Sequence, residues 1–238
     1  MNINAERLIV ALDLPTTEQA MKAVDTLGDA VGYYKIGMES FYGMGHTVLA
    51  QISSRQKRIF LDLKLHDIPN TVARSIKALC QFSPAMTTLH AAGGPTMLKA
   101  AIEAADEWSA QANRPRPKLV GITVLTSLGE QDWAAMGHQK NIRESVLRLS
   151  MMCREAGMDG VVASPQEASS IRALCGNDFL IVTPGIRPLN QEHGDQTRTA
   201  TPAEALKSGA DYLVVGRPIL SAADPKAAAR AILQEMEG

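Results

Sequence analysis

Aromatic residues are scarce, at 4% of 238 residues. A core short of rings is filled by aliphatic side chains, and Ala, Val, Ile and Leu dominate here, which suits helices packed on a parallel sheet. Cysteine is nearly absent as well. Cys80, Cys153 and Cys175 are odd in number and far apart, which suggests neither a zinc cluster nor a disulfide framework and fits a reducing compartment. An excess of one charge is lacking, since 24 Lys and Arg face 25 Asp and Glu for a net −1. Bulk attraction to polymeric nucleic acid or to an anionic membrane is therefore not available. No apolar run approaches the roughly eighteen residues of a membrane span. The run from Leu8 to Leu12 stops at Asp13, and no basic segment precedes it, because Glu6 offsets Arg7. It reads as a strand, not a signal peptide, and a cytoplasmic address is the expectation. No Gly-, Ser- or Pro-rich linker, low-complexity tract or clear internal repeat divides the chain, so residues 1–238 are expected to form one domain.

What is present is an alternation. Short β-rich runs occupy 8–14, 33–36, 59–64, 86–90, 119–124, 160–163, 180–183 and 212–215. Helical stretches lie between them at 17–27, 72–81, 95–112, 142–156 and 165–174, and an alanine-rich helix is expected after Pro218. Pro95 and Pro165 follow small or hydroxyl residues, as first-turn prolines do. Eight strands alternating with helices in a chain of this length predict an α/β fold, a (β/α)₈ TIM barrel, with a doubly wound open sheet as the rival. Two connections, 127–140 and 184–201, are long enough to read as lids or binding loops.

Charges fall where a barrel core does not need them. Strand side chains alternate, so Asp62 and Lys64 share a face opposite Leu61 and Leu63. With the apolar set turned to the helices, both charges sit at the C-terminal mouth, where barrel enzymes carry their chemistry. Asp13 at the end of the first strand, Lys35 near the end of the second and Asp67 just after the third bring the rim cluster to five. A structural ion-pair network is the plain alternative, but burying many charges is a poor route to stability. A lysine flanked by aspartates keeps its proton, which makes it a placed acid and an electrostatic stabiliser rather than a nucleophile.

Across the rim, Val215-Gly216-Arg217-Pro218 runs from the eighth strand toward a helix, and Thr183-Pro184-Gly185-Ile186-Arg187 ends the seventh. Gly216 admits close backbone approach, and Arg187 and Arg217 can fork onto phosphate oxygens in the place where barrels commonly hold phosphate. Two ordinary surface arginines are the alternative. Other candidates carry less. Gly43-Met44-Gly45 lacks the context of a dinucleotide fingerprint. The five histidines show no ligand spacing, and His90 at the end of the fourth strand reads either as pocket lining or as a hydrogen-bonded structural residue.

Asp62-Leu63-Lys64-Leu65-His66-Asp67-Ile68-Pro69-Asn70-Thr71 resembles the D-x-K-x-x-D-I-P-N-T signature of the orotidine 5′-phosphate decarboxylase family. The resemblance runs the length of the chain, through Ala11-Leu12-Asp13, Tyr34-Lys35-Ile36-Gly37, Leu125-Thr126-Ser127, Gly185-Ile186-Arg187-Pro188, Gly194-Asp195-Gln196 and Val215-Gly216-Arg217-Pro218. D-x-K-x-x-D alone is shared with related sugar-phosphate barrels, whereas I-P-N-T and the late-loop elements are specific.

The resemblance implies a homodimeric (β/α)₈ barrel with sites at the subunit interface. It would convert orotidine 5′-phosphate to uridine 5′-phosphate (UMP) and carbon dioxide, without metal or organic cofactor, in the last step of de novo pyrimidine synthesis. Lys64 would protonate the ring carbon that loses carbon dioxide, with Asp62 against the departing carboxylate. Lys35 and Asp67 would complete the network, Asp67 and Thr71 reaching the neighbouring subunit's site. Asp13 and Lys35 would hold ribose hydroxyls, Ile68 would join the substrate-binding set, and Thr126 would meet the pyrimidine. Gln196, Arg187, Gly216 and Arg217 would grip the phosphate. Two rivals stand beside this reading: a metal-dependent sugar-phosphate lyase or decarboxylase, and a non-catalytic nucleotide-phosphate binding barrel.

Overall fold

The structure, a computed structural model, describes residues 3–188 and 198–237. Its eight parallel strands close into a barrel in sequence order. They are β1 (Leu8–Ala11), β2 (Tyr33–Gly37), β3 (Arg58–Leu65), β4 (Met86–His90), β5 (Lys118–Ile122), β6 (Gly160–Val162), β7 (Leu180–Thr183) and β8 (Tyr212–Val215). β8 pairs back onto β1, so the open sheet is excluded.

Alternation along the strands divides the core. Ile9, Ala11, Tyr33, Phe60, Met86, Val120, Val182 and Val214 fill the barrel interior. Leu8, Val10, Tyr34, Ile36, Leu61 and Leu63 face outward onto the helices instead. Both faces of each strand are thus buried, which is why the strands read as continuous apolar runs.

Local chemistry sets the helix starts. Gln19, Glu144 and Gln166 donate backbone N–H groups to the side chains of Thr16, Asn141 and Ser164, capping helices Thr17–Leu27, Ile142–Ala156 and Pro165–Cys175. The expected C-terminal helix is two, Arg217–Leu220 and Pro225–Glu235. Asp224 accepts from the Ala227 N–H and Pro225 opens the second helix, so the chain restarts there. Short helices at Ile3–Arg7, Met38–Met44, Thr47–Ser54 and Pro202–Lys207 add to those read from sequence, and Glu130–Ala135 forms a helix inside the connection expected at 127–140. Among the described residues, no helix is long and apolar enough to cross a membrane.

Candidate active site

Three strand ends converge at the C-terminal mouth of the barrel. β1 delivers Asp13 two residues past its last paired position, β2 carries Lys35, and β3 carries Asp62 and Lys64. They form one chain of alternating charge. Lys35 Nζ donates to Asp13 Oδ1 at 2.9 Å and stands 3.8 Å from Asp62 Oδ2, which accepts from Lys64 Nζ at 2.7 Å. The Asp62 side chain is 10% exposed and Lys35 12%, whereas Asp13 is 54% exposed, so the chain runs from solvent into the barrel.

Gly37 makes room for the outer pair. A Cβ there would lie 2.9 Å from Lys35 Nζ and 3.2 Å from Asp13 Oδ1. Lys64 lies in the left-handed region at φ 51°, and the pairing of β3 with β4 shifts between Leu61 and Leu65. Plain alternation therefore does not run through Lys64. A bulge aims it, and the bulge returns its ammonium to the same side as Asp62.

These groups line a cavity of about 540 Å³, together with Thr126, Arg187, Gly216 and Arg217, a size suited to a small-molecule ligand. Phe60, Ile122, Val124, Val162 and Val214 supply its apolar wall. At the seventh-strand side, the Arg187 N–H donates to Ala200 O at 2.9 Å and the Ala200 N–H to Gly185 O at 3.4 Å, which fastens the two feet of the long connection to each other. Beside it, Arg198 donates to Glu167 Oε1 at 2.5 Å and to Leu125 O at 3.2 Å. Burial pushes the Glu167 carboxyl up, against the lowering effect of Arg198.

Eight of the twelve residues expected at the site line this one cavity. Asp67, Ile68 and Thr71 do not. They lie exposed on the segment after β3, with Asp67 Oδ1 accepting from the Ile68 N–H at 2.6 Å. Gln196 is outside the described residues. The helix Arg217–Leu220 behind Gly216 is a single turn and gives that end of the cavity little macrodipole.

Sequence reasoning did not single out Thr88. This fully buried threonine bonds both to Asp62 and to the Lys64 backbone. Nothing in the residue type marks it, because threonine is an ordinary strand residue. His90 lies behind the charges rather than among the cavity-lining residues, its ring 5.3 Å from that of His66. Burial lowers its basicity, with His66 and the Lys64 ammonium acting the same way and Asp62 opposing. Cys80, Cys153 and Cys175 lie on helices, buried in the core and unbridged, and burial pushes the Cys153 thiol up to about 12. None is a nucleophile at neutral pH.

Fold and site together define a single (β/α)₈ barrel with a charged cavity at the face where such barrels carry chemistry. Residues 6–232 match the model of the orotidine 5′-phosphate decarboxylase / HUMPS family, and the chain belongs to that family. An orotidine 5′-phosphate decarboxylase of Moorella thermoacetica is 48% identical over 98% of this chain and 92% of the relative. One from a Nostoc species is 47% identical over 97% of each. The crystal structure of the orotidine 5′-phosphate decarboxylase of Lactobacillus acidophilus superposes with a TM-score of 0.87 at 41% identity, covering 98% of this chain and 100% of that one.

Proposed function

We propose that this chain is an orotidine 5′-phosphate decarboxylase, a carboxy-lyase that releases carbon dioxide and UMP in the last step of de novo pyrimidine synthesis. The observation that carries the reading is the Asp13–Lys35–Asp62–Lys64 chain of ion pairs, lining one cavity with Arg187 and Arg217. The decarboxylase activity of the relatives above supports it.

The roles are those the family resemblance implies, and the shared cavity lining supports them. Arg187 and Arg217 hold the phosphate, with the Gly216 backbone close by and Gln196 added from the resemblance. Asp13 and Lys35 take the ribose hydroxyls, and Thr126 takes the pyrimidine. Asp62 then stands against the substrate carboxylate, and this repulsion is relieved when neutral carbon dioxide departs. As the carbon–carbon bond breaks, its electron pair stays on the ring carbon in a σ orbital with no electron sink. The Lys64 ammonium stabilises that charge and delivers its proton to the same carbon, and solvent returns a proton to the amine. No step draws on a metal or an organic cofactor. The phosphate lies far from the reacting bond, so its binding energy holds the ring in register with Lys64.

We further propose a homodimer with sites at the interface, Asp67, Ile68 and Thr71 serving the neighbouring site. Their exposure supports this, Ile68 being 66% exposed, and so do exposed apolar side chains on the helix after β2, where Tyr42 and Met38 are 73% and 42% exposed. The partners are then the substrate, the product and a second copy, with no membrane and no polymeric nucleic acid. Buried, unbridged thiols are compatible with the cytoplasm.

A metal-dependent sugar-phosphate lyase would use the same carboxylates to hold a divalent ion. Asp62 is poorly disposed to do so, because Thr88 occupies Oδ1 and Lys64 occupies Oδ2. The test is to mix the protein with orotidine 5′-phosphate under excess chelator and follow the orotate absorbance. Its disappearance is expected. A requirement for added magnesium would favour the lyase, and no turnover under any condition would favour a binding protein.

A further inference from the structure

β3 and β4 fall out of step where the charges sit. Phe60 pairs with Met86 and Leu61 with Thr87, but the next pair is Leu65 with Leu89. Asp62, Leu63 and Lys64 therefore stand opposite one residue, Thr88. Its side chain spans the bulge. The Thr88 hydroxyl oxygen accepts from the Lys64 backbone N–H at 2.8 Å, and its own proton goes to Asp62 Oδ1 at 2.9 Å. A hydroxyl has one proton, so the bond received from Lys64 leaves that proton aimed at the carboxylate. Thr88 is fully buried.

Lys64 has reason to need such a partner. Its φ of 51° belongs to the region that residues with a side chain rarely adopt, and such a conformation persists only where the surroundings hold it. Asp62 needs one too. With Oδ1 engaged by Thr88, the carboxylate can rotate little, and Oδ2 is left to face Lys64 at 2.7 Å and Lys35 at 3.8 Å.

We infer that Thr88 is a positioning residue: its one hydroxyl both pins the left-handed backbone that aims Lys64 and fixes the rotation of the Asp62 carboxylate. The consequence for turnover rests on the decarboxylase reading. The consequence for the Lys64 backbone does not.

Thr88→Val keeps the shape and removes the hydroxyl, and Thr88→Ser keeps the hydroxyl and removes a methyl group. Loss of a hydrogen bond to a charged group predicts a fall in kcat on the order of 10- to 100-fold for Thr88→Val, with KM for orotidine 5′-phosphate changed less than about threefold. Thr88→Ser is expected to recover most of the rate. Amide exchange followed by NMR gives a second readout: the Lys64 N–H is protected in the wild type and exchanges at least about tenfold faster in folded Thr88→Val. A Thr88→Val enzyme within twofold of wild type, or a folded Thr88→Ser as slow as Thr88→Val, overturns the inference. An unprotected Lys64 amide in the wild type overturns it as well, whether or not any variant folds. Should the wild type not decarboxylate the nucleotide, the functional reading fails, and the exchange measurement still decides the role of Thr88.

Discussion

A carboxylate that is 10% exposed and shared between two ammonium groups is costly to assemble, and hydrophobic replacements at such a place are often no less stable. Among the described residues, Asp62 is held by side chains alone: Lys64 at 2.7 Å, Thr88 at 2.9 Å and Lys35 at 3.8 Å. That arrangement suits chemistry better than stability, and Gly37 allows the two to be separated. Gly37→Ala would put a methyl group 2.9 Å from the Lys35 ammonium, the mobile end of a side chain that can move aside at small cost to the fold. The expected result is a fall in kcat/KM of roughly tenfold or more, about 1.4 kcal/mol of transition-state stabilisation, with a melting temperature within about 2 °C of wild type. Steady-state assays beside a thermal melt decide it. His90 gives the pH dependence at this scale. Burial keeps its imidazole less basic than the ordinary value of 6.5, so on acidification the unfolded chain takes up the proton first. The stabilisation from neutral His90 is therefore complete above 6.5 and is lost as pH falls through the lower, folded value. Melting temperatures of wild type and His90→Asn between about pH 5 and 8 should show a steeper acid-side decline in the wild type.

Strands are where the sequence was most legible. All eight are found within three residues of their expected ends, because both faces of each are buried and the apolar runs are unambiguous. Short helices were harder to read. Met38–Met44 contains Gly43 and stops at Gly45, whose φ is 66°, and Thr47–Ser54 opens on two β-branched residues, so neither has the propensity that marks a helix locally. The paired charges of β3 were legible from their spacing, but the bulge was not, since register belongs to two strands at once and only β4 reveals it. Charge also serves a different purpose at the two barrel ends. At the N-terminal end, Asp159 and Asp211 accept from Arg116 and Arg172 and also from the backbone N–H groups of Leu119 and Ile181, so those pairs tie strands together. A third requirement is steric. On Gly160 of β6, a Cβ would lie 2.2 Å from the Leu180 carbonyl oxygen of β7, a backbone atom that cannot turn aside. Gly160→Ala is expected to cost about 1–3 kcal/mol, read as a lowered denaturation midpoint with little effect on KM in the protein that remains folded.

For the whole molecule, a net charge of −1 conceals a strongly local distribution. Lys35, Lys64, Arg187 and Arg217 line one cavity, so a nearly neutral chain concentrates positive charge where the proposed nucleotide would sit. The cavity explains the internal residues, but not Asp67, Ile68 and Thr71, which a second copy is proposed to meet. Mixing inactive Lys64→Ala with inactive Asp67→Ala subunits in equal amounts should give each mixed dimer one fully intact site, and activity should return toward about a quarter of wild type under random pairing. Mixed dimers that form and stay inactive would remove Asp67 from the partner's site.

In the proposed reaction the ammonium of Lys64, with no metal, replaces departing carbon dioxide by a proton. Comparing wild type with Lys64→Ala on orotidine 5′-phosphate in deuterated water containing chelator tests it most directly. The expected result is UMP carrying one deuterium at the ring carbon that lost the carboxylate, and a Lys64→Ala rate lower by at least about 10⁴-fold, general-acid and electrostatic contributions together. A Lys64→Ala enzyme within tenfold of wild type, or a wild type idle until a divalent ion is added, would contradict it.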